Sequence, residues 1–169
     1  MLLESDGYIV LADFGMSKFL AHSDERMKSF VGTLPYLAPE IVNNEKYDRT
    51  VDWWALGIML YEMMFGSLPF QHKNQKILFD KILTEKLDFP QTITITKPDG
   101  SSTSKPVNIS DEAKNLIAAL LHRSPKSRLG SKNDYRDIMN HPWFNEIDKR
   151  KLLAKQIRPP YRPQYFEDS

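Results

Sequence analysis

Asp13, Phe14 and Gly15 close an apolar, β-branched run, Tyr8–Phe14, entered through Asp6-Gly7, a dipeptide that favours a tight hairpin turn. A carboxylate delivered at a strand end, with a glycine freeing the backbone behind it, suits a hard divalent cation. Mg²⁺ takes one or two protein carboxylates and fills its octahedron with phosphate oxygens and water. An isolated Asp-Phe-Gly reads as a turn aspartate. The metal reading rests on the residues C-terminal to it: a polar loop carrying Ser29, then Ala38-Pro39-Glu40, then a long apolar helix. Glu62 lies late in that helix, where an unpaired buried carboxylate would be costly, so it needs a partner, either an internal lysine or arginine or a cation from outside. Asp52, at the start of the same helix, has the chemistry of an N-cap. His22, His72, His122 and His141 show no metal-ligand spacing and read as surface or packing residues.

The elements that position these groups follow from periodicity and punctuation. Residues 1–14 read as a β-hairpin and 15–37 as a loop. Pro39 suits the first turn of a short helix over 39–44. Asp52–Phe65 is apolar nearly all round, which predicts a helix about 21 Å long surrounded by protein, with Gly66 stopping it. Gln75–Lys86 is amphipathic. Ser110-Asp111-Glu112 caps a helix running to Leu121, and Tyr135–Asn140 forms a short helix before His141-Pro142-Trp143-Phe144. Thr92–Asn108, rich in Thr, Ser, Pro and Gly, reads as a surface loop in preference to a small hairpin turning at Pro98-Asp99-Gly100. Pro159-Pro160-Tyr161-Arg162-Pro163 excludes helix and predicts an extended surface tail. The fold class is mainly α.

The 169 residues carry 41% apolar and 27% charged side chains, a net charge of +1 and no cysteine. That is an ordinary globular composition, with no global field to attract nucleic acid or a membrane surface and no disulfides. Residues 1–15 contain three acidic and no basic side chains, so they do not read as a secretory signal. Trp53–Tyr61, the most apolar stretch, is far short of the roughly 20 residues that span a bilayer.

In order and spacing, ADFGMSK (12–18), SFVGT (29–33), YLAPE (36–40), VDWWALG (51–57), LPF (68–70), RLG (128–130), HPWF (141–144) and PPYRP (159–163) resemble the C-terminal lobe of an AGC-group protein kinase, similar to protein kinases A, B and C. The resemblance runs from Met1 to about Pro163, interrupted by 92–108. It implies a helical bundle with a short N-terminal β-hairpin, a long activation loop and an extended Pro-rich tail, divided as a partial kinase domain (1–144) with a flexible insertion at 92–108, and a partial tail (145–169). It implies ATP-dependent phosphoryl transfer to protein serine or threonine, with Mg²⁺ and ATP as cofactors. Asp13 becomes the metal ligand, within a nucleotide-binding Asp13-Phe14-Gly15, and Thr33 the threonine that bonds the catalytic aspartate.

By the same resemblance, Ser29 is phosphorylated by an upstream activating kinase, its phosphate pairing with basic side chains such as Lys18 or Lys28. Phe30, Leu34 and Leu37 line the pocket for the substrate residue after the phosphoacceptor. Glu62 takes a substrate arginine before it, making the enzyme basophilic, and Met16 favours serine as acceptor. Glu40 and Arg128 form a buried structural ion pair, and Asp52 accepts backbone bonds from the catalytic loop. The chain departs from the usual Gly-Thr-Pro-Glu-Tyr in reading Gly32-Thr33-Leu34-Pro35-Tyr36. Protein substrates and the activating kinase are the expected partners, with no nucleic acid and no membrane contact from this segment, in an intracellular, cytoplasmic or nuclear, setting.

A glycine-rich phosphate loop, a strand lysine, a catalytic aspartate and the second metal-binding asparagine do not occur in these 169 residues. Aligned by resemblance, Met1 falls just after that asparagine. The expectation is a fragment of a longer kinase, inactive alone, with apolar surface exposed on its hairpin. The alternative is a non-catalytic binding module acting as a decoy. Tyr165–Asp168 resembles the start of the aromatic-acidic tail segment of such kinases.

Overall fold

Apolar side chains on every face of one segment make it the scaffold for its neighbours, and that segment is a helix, Thr50–Phe65 (α2), in the computed structural model, which describes residues 1–15, 17, 27, 32–96 and 100–163. Among the described residues there are six α-helices: Pro39–Val42 (α1), α2, Gln75–Thr84 (α3), Asp111–Leu120 (α4), Tyr135–Met139 (α5) and Lys149–Leu153 (α6). Short 3-10 turns form at Leu34–Tyr36 and Pro142–Phe144. Two antiparallel hairpins complete the fold, Leu2–Leu3 (β1) with Ile9–Val10 (β2) and Thr92–Thr96 (β3) with Ser102–Pro106 (β4). The mainly helical class is what is observed. None of the described helices is long and apolar enough to cross a membrane.

The chain divides into two compact units, residues 1–20 with 145–169, and residues 21–144. In the larger unit, Trp54, Ile58, Tyr61 and Phe65 of α2 are buried against Phe70, Leu78 and Ile82 on one side and Ile117 and Leu121 on another. Trp53, Leu56 and Leu60 pack against Leu116, Leu120 and Ile138. Gly57 is where α4 comes closest: a Cβ there would lie 2.9 Å from Leu120 Cβ and 2.8 Å from Leu121 Cδ2. Gly66 ends α2 in the left-handed conformation (φ 69°), its N–H donating to Glu62 O at 2.8 Å.

Several expected boundaries moved. Asp52 is not the N-cap of α2. The helix starts at Thr50, and Asp48 takes its first free N–H at 2.8 Å, leaving Asp52 inside the first turn. The segment expected as a loop at 92–108 is a hairpin: Ile93 is anchored on the core, and alternating Thr and Ile satisfy the pleat. Helix α6 was not expected from the sequence, although Asp148 caps it by accepting from Arg150 and Lys151 N–H at 3.0 and 3.1 Å. Ser110 caps α4, as its sequence position suggests, accepting from Ala113 N–H at 3.2 Å. Arg123 closes the far end of α3, donating to Ile82 O at 2.8 Å and to Glu85 O, with its guanidinium 5.5 Å above the Phe70 ring.

In the smaller unit the turn at Asp6-Gly7 is pinned to the C-terminal segment. Lys155 Nζ reaches Glu4 Oε2 at 2.6 Å and Asp6 Oδ2 at 2.9 Å and sits 5.3 Å from the Tyr8 ring centre. Tyr8 OH donates to Ile157 O at 2.6 Å. These bonds hold the Asp6 carboxyl below its usual range and raise the Lys155 ammonium. Gly7 has φ 90°, and a Cβ there would lie 2.4 Å from Tyr161 O, so the extended tail requires glycine at this turn.

His141 is buried at the end of α5, its Nε2 3.0 Å from Asn115 Oδ1 while its Nδ1 accepts from Trp143 N–H at 3.3 Å. That pattern fixes a neutral ring with the proton on Nε2. Burial lowers its pKa below 6.5, against a smaller opposing effect of Glu112. Below the unfolded value the unfolded chain gains a proton that the folded one resists, so folding stability falls as pH drops from about 6.5 through the folded value. Urea unfolding midpoints measured across that window should fall with pH in the parent chain, and fall less steeply for His141→Asn.

Candidate functional site

The conformation of Asp13 differs from that of a strand-end residue. The β1–β2 ladder stops at Val10, and three residues on, Asp13 takes φ 65°, a left-handed conformation that Asp tolerates better than most side chains. Its Oδ1 accepts from Gly15 N–H at 3.3 Å, closing a small Asx turn. Phe14 is 65% exposed, and its carbonyl accepts from the Ser17 hydroxyl at 2.6 Å. Among the described residues the Gly15 N–H is the group that orients the exposed Asp13 carboxylate. Among the described residues no group of three or more His, Cys, Asp or Glu side chains gathers around one point. Asp13 is a hard oxygen donor, the type that Mg²⁺ takes in ones or twos from a protein.

The second constellation is in the larger unit. Thr33 is exposed, ahead of the Leu34–Tyr36 turn, and its carbonyl accepts from Tyr36 N–H at 2.9 Å. Leu34 is half-buried, while Leu37 is 3% exposed and packs with Ile41 and Tyr47. Met27 and Tyr47 form an isolated antiparallel bridge, N–H to O at 2.7 and 2.9 Å, which ties the loop to α1's C-terminal flank. Met16, Lys18, Lys28, Ser29 and Phe30 lie outside the described residues.

Glu62 is half-buried near the end of α2, and Tyr36 OH donates to its Oε2. Among the described residues its carboxylate has no lysine or arginine partner, so the internal cation that its helix position suggested is replaced by a neutral hydroxyl. Donating to a carboxylate raises the Tyr36 phenol above its ordinary pKa. Tyr36 was missed as a functional residue. The only signal available was its place in the turn before Ala38-Pro39-Glu40.

Glu40 and Arg128 meet in a bidentate pair, Nη1 to Oε1 at 2.7 Å and Nη2 to Oε2 at 2.8 Å, with the residues 3% and 1% exposed. The guanidinium also donates to Thr50 O at 2.9 Å, to His122 O at 3.0 Å and to Arg123 O at 3.4 Å. Its carbon lies 5.3 Å above the Trp54 ring. Asp52 is exposed on the first turn of α2, its carboxyl raised by local desolvation and by the nearby charge of Asp134. Asp134 itself accepts from Trp53 Nε1–H at 3.1 Å and pairs with Arg49 at 3.4 Å.

The protein kinase domain profile matches residues 1–144. The chain belongs to the protein kinase family. It is 41% identical over its whole length to the RAC serine/threonine-protein kinase of Drosophila melanogaster, covering 25% of that protein. It is 38% identical over 99% of its length to the RAC-beta serine/threonine-protein kinase of Homo sapiens, covering 34% of it. These whole-chain similarities support AGC-group membership. The chain spans about a quarter to a third of the length of these relatives.

Glu40→Ala leaves the Arg128 guanidinium buried without its counter-ion. Removing one member of such a pair typically costs about 3–5 kcal/mol. Urea denaturation followed by tryptophan fluorescence should show a loss of that size for Glu40→Ala, and Asp52→Ala should change stability far less.

Proposed function

We propose that this chain supplies one metal ligand and the peptide-recognition surface of an ATP-dependent serine/threonine kinase of the AGC group, arranged as the C-terminal lobe. The observation that carries the reading is the Tyr36–Glu62 pairing: a half-buried carboxylate held in place by a neutral hydroxyl, with no lysine or arginine on it among the described residues. The natural ligand is a substrate arginine, whose planar fork matches a carboxylate. Tyr36 orients Glu62 through one hydrogen bond, so the preference is for basic residues before the phosphoacceptor.

Asp13 takes the role of metal ligand, and its carboxylate would hold the cation. Bound there, Mg²⁺ would offset charge on the phosphate oxygens of ATP. Thr33 and Leu34 border the acceptor side of the groove, and Ser29 takes the activating phosphate from an upstream kinase. Residues 1–169 alone are inactive, because phosphoryl transfer draws on a glycine-rich loop, a strand lysine and a catalytic aspartate that these residues do not include.

The test uses a chain that carries these residues behind those missing parts, assayed on two peptides that differ by arginine or alanine before the acceptor serine. Glu62→Gln should raise KM for the arginine peptide roughly 10- to 100-fold, the range expected for one lost charged hydrogen bond, and leave the alanine peptide unchanged. Equal effects on both peptides would refute the arginine assignment. The 169 residues alone should transfer no phosphate from ATP to either peptide.

A further inference from the structure

The hairpin of β3 and β4 stands outside everything the kinase reading uses, and its two edges are unlike. Val107 N–H donates to Gln91 O at 2.9 Å, so Gln91 and Val107 are a hydrogen-bonded pair of the antiparallel ladder. Alternation along the register then makes Ile93–Lys105 and Ile95–Thr103 bonded pairs. The backbone N–H and C=O groups of Thr92, Thr94 and Thr96 point away from β4. On β4 the outward positions are Ser102, Ser104 and Pro106. Pro106 has no N–H to offer, and Lys105 adds a charge beside it, both devices that protect an exposed edge. β3 has neither. It is five uncharged, β-branched residues, with Thr92, Thr94, Thr96 and Ile95 exposed.

The sequence of β3, Thr-Ile-Thr-Ile-Thr, reads the same in both directions. Antiparallel pairing of this edge with its own copy about Thr94 places Thr94 against Thr94, Thr92 against Thr96 and Ile93 against Ile95. The outward-facing threonines are the residues that such a pairing would bond. It also brings Ile95, 39% exposed in the single chain, beside the core-anchored Ile93 of the other copy. An edge that is self-complementary in hydrogen bonding, side-chain type and absence of charge fits a two-fold isologous contact.

We propose that β3 is a self-association edge through which two copies of this chain join their hairpins into one four-stranded antiparallel sheet. Five residues a side form a contact well below the roughly 1,200 Å² of stable complexes, so the association is weak and reversible.

Sedimentation velocity over a concentration series tests this, with far-UV circular dichroism establishing that each variant is folded. The parent chain should show a sedimentation coefficient that rises with concentration. Thr94→Pro removes an outward N–H without touching a β3–β4 bond and should weaken association at least about tenfold, as losing part of a short strand pair implies. Thr94→Lys sets like charges against each other across the two-fold axis. It should dissociate the pair at low salt and regain association at about 1 M salt, where the Debye length is about 3 Å. Ser104→Pro, on the opposite edge, should associate as the parent does. The proposal is overturned if the parent stays monomeric throughout, if both Thr94 variants associate like the parent, or if Ser104→Pro is the variant that dissociates.

Discussion

The guanidinium of Arg128 is the point on which the larger unit depends. Its five N–H donors all have acceptors: two on Glu40 and one each on the carbonyls of Thr50, His122 and Arg123, the last the longest at 3.4 Å. Those acceptors belong to α1, to the first residue of α2 and to the segment following α4, the last far from the other two in sequence. A charge buried this deeply is tolerated only when it is fully paired and fully bonded. The arrangement therefore ties α1, the start of α2 and the segment after α4 to one group. Trp54 completes the enclosure, with its ring under the guanidinium.

Because α1 is held by Glu40, the turn just before it inherits that placement. Tyr36 lies four residues upstream of Glu40 and reaches Glu62 at the other end of α2. The same helix is thus gripped at its start by Arg128 through Thr50 O and near its end by Tyr36, with a buried apolar middle between them. Among the described residues the Glu62 carboxylate is thus positioned by a neutral hydroxyl and not by a lysine or arginine.

How much of this was legible in the sequence depends on the range of the interaction that sets each feature. Local signals worked: Ser110 capping α4, Gly66 ending α2 and the all-round apolar character of Trp53–Phe65 are decided within a turn or two of chain. The Glu40–Arg128 contact came from family resemblance, since nothing in the spacing of two residues 88 positions apart reveals it. Features set by competition were misread. Asp52 and Asp48 both have capping chemistry, and the one nearer the true start took the bond. The segment at 92–108 has loop composition, but one half-buried isoleucine packed on the core and a period of two were enough to pair it. The left-handed turn at Asp13 leaves no trace in residue type beyond the Asp and Gly that tolerate it.

The two hairpins show what a short strand pair requires. Two strands alone are marginal in water, and β1–β2 is only two residues a side. It presents little apolar surface to any core: Leu2, Ile9 and Leu11 are each more than half exposed. Its order in this unit comes from the contacts made with 155–161, namely the Lys155 bridge to Glu4 and Asp6, the Tyr8–Ile157 bond and the close fit of Gly7 under Tyr161. Lys155 is itself half exposed, so that bridge is screened by salt and individually weak. The close backbone packing at Gly7, which salt cannot screen, is the firmer constraint. Asp13 follows this hairpin by three residues, so the strand that leads to it is itself held by the tail segment.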